Sequence, residues 1–193
     1  MKLAIIDYGA GNIKSIQFAF NRLGVNAILT HDEKDIINAD KVIFPGVGEA
    51  GSAMKMLIKS GLDQLIPELK QPVLGICLGM QLLCNYTEEG DTEGLGIFDT
   101  NVKRFDHSVK VPHMGWNVIT DLQSDLFKEV PDRSYLYLVH SYYAELGSQA
   151  IAKTDYGLVY ASALNYHNFY GVQFHPEKSG EVGAQILNNF LKL

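Results

Sequence analysis

Two short stretches of the sequence hold side chains that could do covalent chemistry together. In Gly75-Ile76-Cys77-Leu78-Gly79 a thiol stands in the glycine-x-nucleophile-x-glycine spacing of a nucleophile elbow. An elbow needs small neighbours two residues to either side, because the nucleophile sits in a sharp, strained turn between a strand and a helix. The run "PVLGIC" (72–77) reads as that strand and "LGMQLL" as the start of that helix. Backbone N–H groups at the helix start would lower a thiol's pKa and stabilise an oxyanion formed on its target. A cysteine in an uncharged run equally fits inert packing, and the paired glycines at a strand-to-helix junction are what bring the nucleophile reading level with it. Cys84, seven residues on, lacks such a frame and reads as core.

A thiolate nucleophile needs a base, and the base needs an orienting group. Of the six histidines, five lie in polar or mixed contexts with no fixed carboxylate neighbour. The sixth, His175, lies in "VQFHPEKSG", two residues before Glu177 at the expected end of a strand. Residues i and i+2 of a strand project to one side, so Glu177 could hold one ring nitrogen while the other faces a sulfur. The bland alternative is a surface His–Glu pair at a strand exit. A third stretch, "FPGVGEAGS", carries Gly46 and Gly48 just after a predicted strand, where backbone N–H groups can approach a ligand. Either a second oxyanion donor or a loop that needs positive φ would account for it. "IIDYGAGNIKS" resembles a dinucleotide-binding turn, with Gly9 and Gly11 in place and Asp32 about 20 residues on. Lys14 occupies the third glycine position, so a tight strand–helix turn explains it better.

These pieces must be positioned by regular elements. In the first half, "KLAIID" (2–7), "NAILT" (26–30), "KVIFPG" (41–46) and "PVLGIC" read as strands. Amphipathic segments at 12–24, 50–61 and 61–70 read as the helices between them. Alternation of this kind implies parallel strands in an α/β sheet with helices on both faces. The second half is rich in β-branched and aromatic runs, at 101–105, 116–120, 134–143, 149–154, 158–164 and 169–175, which read as antiparallel or mixed strands. "SGEVGAQILNNFLKL" closes the chain as a helix. The expected fold is therefore an open mixed, largely parallel α/β sheet with helices on both faces, in a single domain over 1–193.

The composition fits a soluble globular chain: 193 residues, 47% apolar and 20% charged. No apolar run reaches the roughly 18 residues of a membrane span. The first apolar run ends at Asp7 without a cleavage site and reads as a buried strand. A net charge of −6 argues against a general nucleic-acid binder. Two cysteines are too few for a zinc site and badly placed for a disulfide framework, which points to a reducing, cytoplasmic setting.

"PGVG", "GICLGMQLL" and "QFHPEKSG", in this order, resemble the class I glutamine amidotransferases with a Cys–His–Glu triad, whose sheet has a flavodoxin-like core. "DYGAGNIKS", "PHMGWN", "YLVHSYY" and "CLGMQ" narrow the resemblance to the branch serving histidine biosynthesis, and the match runs from near residue 6 to about residue 183. The resemblance implies glutamine as substrate, Cys77 as nucleophile, His175 as base and Glu177 as its orienter. It places the oxyanion between the N–H groups of Leu78 and Gly48, the latter after the peptide around Val47 turns. Gly46, Val47, Gln81, Ser141 and Tyr142 would line or hold the substrate. No cofactor or metal is implied. The partner would be a (β/α)8-barrel cyclase subunit that receives the ammonia through a closed tunnel, with Asn12, Met114, Trp116, Tyr137 and Lys178 at the interface. Trp116 equally fits core packing at a strand start. The free chain would be nearly inactive until the partner binds. The alternatives are an amidotransferase feeding another synthase, such as that of pyridoxal phosphate, and a partner-independent cysteine amidohydrolase or peptidase. Met80 in "CLGMQ" and the "PHMGWN" stretch disfavour the first of these.

Overall fold

The computed structural model describes residues 1–9 and 13–193. The elements follow in chain order as β1 (Leu3–Ile6), α1 (Ile13–Arg22), β2 (Ala27–Thr30), α2 (Glu33–Ile37), β3 (Lys41–Gly46) and α3 (Ala50–Ser60). Next come α4 (Leu62–Leu65), β4 (Val73–Cys77), α5 (Leu78–Leu82), β5 (Cys84–Thr87) and β6 (Thr92–Glu93). The second half contributes β7 (Phe98–Arg104), β8 (His113–Val118), β9 (Tyr135–His140), β10 (Tyr142–Ala144), β11 (Ala150–Asp155), β12 (Val159–Tyr166), β13 (Phe169–Val172) and α6 (Gly180–Lys192).

Among the described residues, eleven strands form one sheet in the order β2-β1-β3-β4-β13-β12-β10-β7-β5-β6, with β11 paired to β12. The strands from β2 to β13 run parallel, and the sheet turns antiparallel at β12. The 2-1-3-4 start is the doubly wound, flavodoxin-like order, whose ligands bind beyond the carboxyl ends of the strands. Period-two alternation explains how one strand serves two cores. Ala4 and Ile6 of β1 face the layer holding α2, α3, α4 and α5, while Leu3 and Ile5 face the layer of α1 and α6. On that second side the β8–β9 hairpin, a separate two-stranded sheet, adds Leu136 and Leu138 to the core.

The decisive feature is where β13 sits. It is far from β4 in sequence but pairs with it, Val172 opposite Ile76. The other flank of β4 is β3, with Gly46 opposite Cys77. The carboxyl ends of three adjacent strands thereby converge.

Three local expectations are corrected. The helix after Cys77 stops at Leu82, and Cys84 opens β5 instead of continuing that helix. The segment 134–143 is two strands, broken at Ser141. The strand ending in "FYGV" stops at Val172, so His175 and Glu177 are not strand neighbours. Pro176 has no N–H for a ladder and a fixed φ, and it opens a 3₁₀ turn over Pro176–Lys178.

Candidate active site

Cys77 takes φ 55° and ψ −112°, a conformation that a residue with a side chain adopts only under constraint. The flanking glycines explain how the turn is tolerated. A Cβ on Gly79 would lie 2.0 Å from the Phe44 carbonyl oxygen, and one on Gly75 would lie 2.9 Å from the Met80 nitrogen. Neither glycine needs positive φ; both supply clearance, and the strain falls on Cys77. Gly46 belongs to the same packing, because a Cβ there would stand 2.6 Å from the Gly79 nitrogen. Gly48 differs: its φ is +99° with nothing within 4 Å of an added Cβ, so its backbone shape is what requires glycine.

His175 is buried, and its Nδ1 lies 2.8 Å from Glu177 Oε1. The 3₁₀ turn brings the two together, in place of the strand pleat expected from the spacing. Burial alone would lower the imidazole pKa. Cys77 and Glu177, both within its hydrogen-bonding surroundings, outweigh that and raise it to about 9. With Nδ1 on Glu177, Nε2 is the nitrogen left for the sulfur. The turn is anchored twice to β9: the His175 N–H donates to the Tyr137 carbonyl, and the Tyr137 N–H donates to Ser179 Oγ. Beneath it, α6 packs so closely that a Cβ on Gly183 would meet the Pro176 oxygen at 2.0 Å.

A cavity of about 300 Å³ opens above these groups. It brings together Val47, Gly48, Cys77, Leu78, Gln81, Ser141, Tyr142, His175 and Lys178, all expected from the sequence. Glu177 lies behind His175 with its Oε2 buried and unpaired, and Gly46 lies beneath the elbow outside the lining. Gln81 is tied down: its Nε2 donates to the Tyr142 carbonyl and to Gln173 Oε1, each at 2.9 Å. Both amide hydrogens are thus engaged, and Oε1 is the group it can offer a ligand.

Sequence reasoning missed Glu89, His140 and Gln173. Glu89 lines the cavity, and its carboxyl is raised by burial, against a hydrogen bond from the Ala50 N–H and with repulsion from Glu49. Gln173 is fully buried with Nε2 3.8 Å from the Cys77 sulfur. It is two residues before His175, so the "QFHP" run held the signal. Glu89 sits in an unremarkable loop, and only the fold brings it there.

Of the expected interface residues, Asn12 lies outside the described residues. Met114 and Trp116 are 63% and 55% exposed on one face of β8, which overturns the core reading of Trp116. Tyr137 sits opposite Trp116 across the hairpin, and Lys178 Nζ stands over the Tyr137 ring at 5.8 Å. Lys178 also lines the cavity, so it joins the hairpin surface to the site. The dinucleotide alternative loses its acid: Asp32 caps α2, accepting from the Lys34 and Asp35 N–H groups.

Elsewhere, a groove of about 720 Å³ beside α3 is lined by Glu49, Lys55, Asp63, Glu68, Asp91 and Glu93, and no cysteine or histidine is among its lining residues. Among the described residues, no three His, Cys, Asp or Glu side chains form a group able to hold a metal ion. No described helix is long and apolar enough to cross a membrane.

Comparison with known proteins adds a family to this geometry. Residues 4–193 match the family model described as glutamine amidotransferase class-I. "Imidazole glycerol phosphate synthase subunit HisH" of Bacteroides fragilis (strain YCH46) is 56% identical over all of both chains. The protein of the same name from Pectobacterium atrosepticum is 46% identical, again over all of both chains. Among solved structures, a Thermoplasma acidophilum protein described as a putative GMP synthase component superposes with a TM-score of 0.76 at 19% identity, covering 100% of this chain and 92% of that one. A second, described as a glutamine amidotransferase, gives 0.76 at 17% identity, covering 98% and 97%. At those identities the likeness is one of fold.

Proposed function

Because the chain belongs to the class I glutamine amidotransferases, we propose that it is the glutaminase subunit of imidazole glycerol phosphate synthase, releasing ammonia from glutamine for histidine biosynthesis. The observation that carries the reading is the elbow cysteine at φ 55° with a buried imidazole beside it and a carboxylate behind that. Full-length relatives of 42–56% identity bear the synthase name, which supports the choice of synthase.

In this reading the Cys77 sulfur attacks the side-chain amide carbon of glutamine, and His175 takes the thiol proton. The carbonyl π electrons move to oxygen, and the oxyanion rests on the N–H groups of Leu78 and Gly48. As the oxyanion collapses, the C–N bond breaks and His175 gives its proton to the departing nitrogen. Ammonia and a γ-glutamyl thioester result. Water then attacks the thioester with His175 as base, the C–S bond breaks, and glutamate leaves with the thiol restored. Glu177 holds the ring through Nδ1 and favours its charged form. The raised imidazole suits a base that must keep the proton until the leaving nitrogen collects it. Gln81 Oε1, Ser141 and Tyr142 hold the amino and carboxylate ends of glutamine.

Ammonia released into water becomes mostly ammonium, so a glutaminase serving a synthase gains from a sealed junction with its partner. The partner is a (β/α)8-barrel cyclase subunit in the cytoplasm, docked on the hairpin face of Met114, Trp116 and Tyr137 with Lys178. The peptide around Val47 turns on docking, which keeps the free chain from hydrolysing glutamine. Cys77→Ala in the assembled synthase tests the reading. Glutamine-dependent product formation should fall about 10⁴-fold or more, while synthesis from ammonium salt persists. Equal loss with both nitrogen sources would overturn it, and so would glutamine-dependent synthesis that survives.

A further inference from the structure

At the cavity wall and behind it lies a group that the mechanism above does not use: buried His113, His140 and Tyr160, with half-buried Tyr156, packed around Phe105. His140 and Tyr160 are 6% and 0% exposed. The contacts fix the direction of every hydrogen bond in it. His140 Nδ1 lies 2.7 Å from the Tyr142 carbonyl oxygen, which can only accept, so Nδ1 carries a hydrogen. His140 Nε2 lies 3.1 Å from Tyr160 Oη, and a neutral ring protonated at Nδ1 offers only a lone pair there. Tyr160 must therefore donate to His140. With its one proton committed, Tyr160 accepts from His113 Nδ1 at 3.4 Å, and His113 Nε2 accepts from Asn117 Nδ2 at 3.4 Å. The buried Thr154 hydroxyl has no partner in hydrogen-bonding geometry, so it does not compete for the Tyr160 proton. Burial lowers His140 to about 3 and His113 to about 4, consistent with two neutral rings.

The chain ends on one atom. The Tyr142 carbonyl also accepts from Gln81 Nε2, so both of its lone pairs are engaged, one from each side. That carbonyl belongs to the joint where β9 breaks at Ser141 and β10 begins, which is the cavity wall. Gln81 in turn donates to Gln173, whose amide faces the Cys77 sulfur.

We propose that His140 and Tyr160, with His113 behind them, are positioning residues for glutamine: a one-way chain of hydrogen bonds that locks the Tyr142 carbonyl and so shapes the Ser141–Tyr142 wall and Gln81. This rests on the reading that the wall holds glutamine. A lock on the binding wall acts alike on bound substrate and transition state. Its loss therefore raises KM and leaves kcat nearly alone.

The test is Tyr160→Phe, which removes one hydroxyl and little volume, measured in the assembled synthase. KM for glutamine should rise about 5–20-fold with kcat within about twofold, and ammonium-dependent synthesis should be unchanged. His140→Leu should do the same, and His140→Asn, which keeps a donor for the Tyr142 carbonyl, should restore most of the loss. An unchanged KM in Tyr160→Phe, or a fall in kcat without a rise in KM, overturns the proposal. Nitrogen-15 spectra of the full chain labelled at histidine give a readout independent of activity. At pH 7.5, His140 and His113 should both be protonated at Nδ1 alone. An Nε2–H tautomer or an imidazolium at His140 would also overturn it. If wild-type synthase lacks glutaminase activity, the functional reading fails, while the spectra still judge the hydrogen-bond chain.

Discussion

The two cysteines stand seven residues apart and share nothing but their chemistry. Cys77 closes β4 in a left-handed turn, faces a cavity of about 300 Å³ and has an imidazole at its side. Cys84 opens β5 with no exposure, its sulfur 3.5 Å from the Met80 carbonyl, and burial pushes its thiol pKa far up. A thiol becomes a nucleophile through its backbone and its neighbours, and the Cys84 environment withholds both. The lesson extends to the glycines. Gly75 and Gly79 let β4 hand over to α5 at a residue with positive φ, whereas the close glycine at Cys84 is Gly94, whose added Cβ would meet the Cys84 carbonyl oxygen at 2.0 Å, and Cys84 itself takes no positive φ.

Removing the charge behind His175 should cost the most activity. Glu177→Gln keeps the shape of the His175 partner but removes the charge that favours an imidazolium. Glutamine-dependent kcat of the synthase should fall about 10²–10⁴-fold with little change in KM. Steady-state kinetics in the assembled enzyme read this, and a change confined to KM would say that Glu177 serves binding. Gly79→Ala comes next. With its Cβ forced to 2.0 Å from the Phe44 oxygen, the elbow must shift. The variant should lose about 3 kcal/mol of stability or fail to fold, as urea denaturation would report. Cys84→Ala has the smallest effect. It removes one buried sulfur, so stability should drop by about 1 kcal/mol while glutaminase kinetics stay within about twofold. A large kinetic effect there would erase the contrast between the two thiols.

The elbow, the base and its orienter are legible from spacing, because each rests on residues within five positions of one another. The layout of the parallel half is legible for a similar reason, since period and glycine punctuation are local signals. What the sequence hides is set by long-range pairing. Placing β13 beside β4 decides that His175 reaches Cys77, and it also buries Gln173 there. His140 reads as one more polar histidine until β12 carries Tyr160 under it. The geometry of His175 and Glu177 escapes a strand reading for a local reason. Pro176 ends the strand, so a 3₁₀ turn, and not strand pleating, puts the carboxylate on Nδ1. Trp116 is ambiguous in sequence because tryptophan suits both cores and interfaces, and only the facing of β8 separates the two.

We propose that Cys77 alone, of two thiols so close in sequence, attacks the side-chain carbonyl of glutamine. The most direct test is covalent labelling of the assembled synthase with a glutamine analogue carrying an electrophilic ketone in place of the amide, followed by peptide mass mapping. One adduct per chain is expected, on Cys77, blocked by excess glutamine and absent from Cys77→Ala, with Cys84 unmodified. An adduct on Cys84, or labelling that persists in Cys77→Ala, would contradict it.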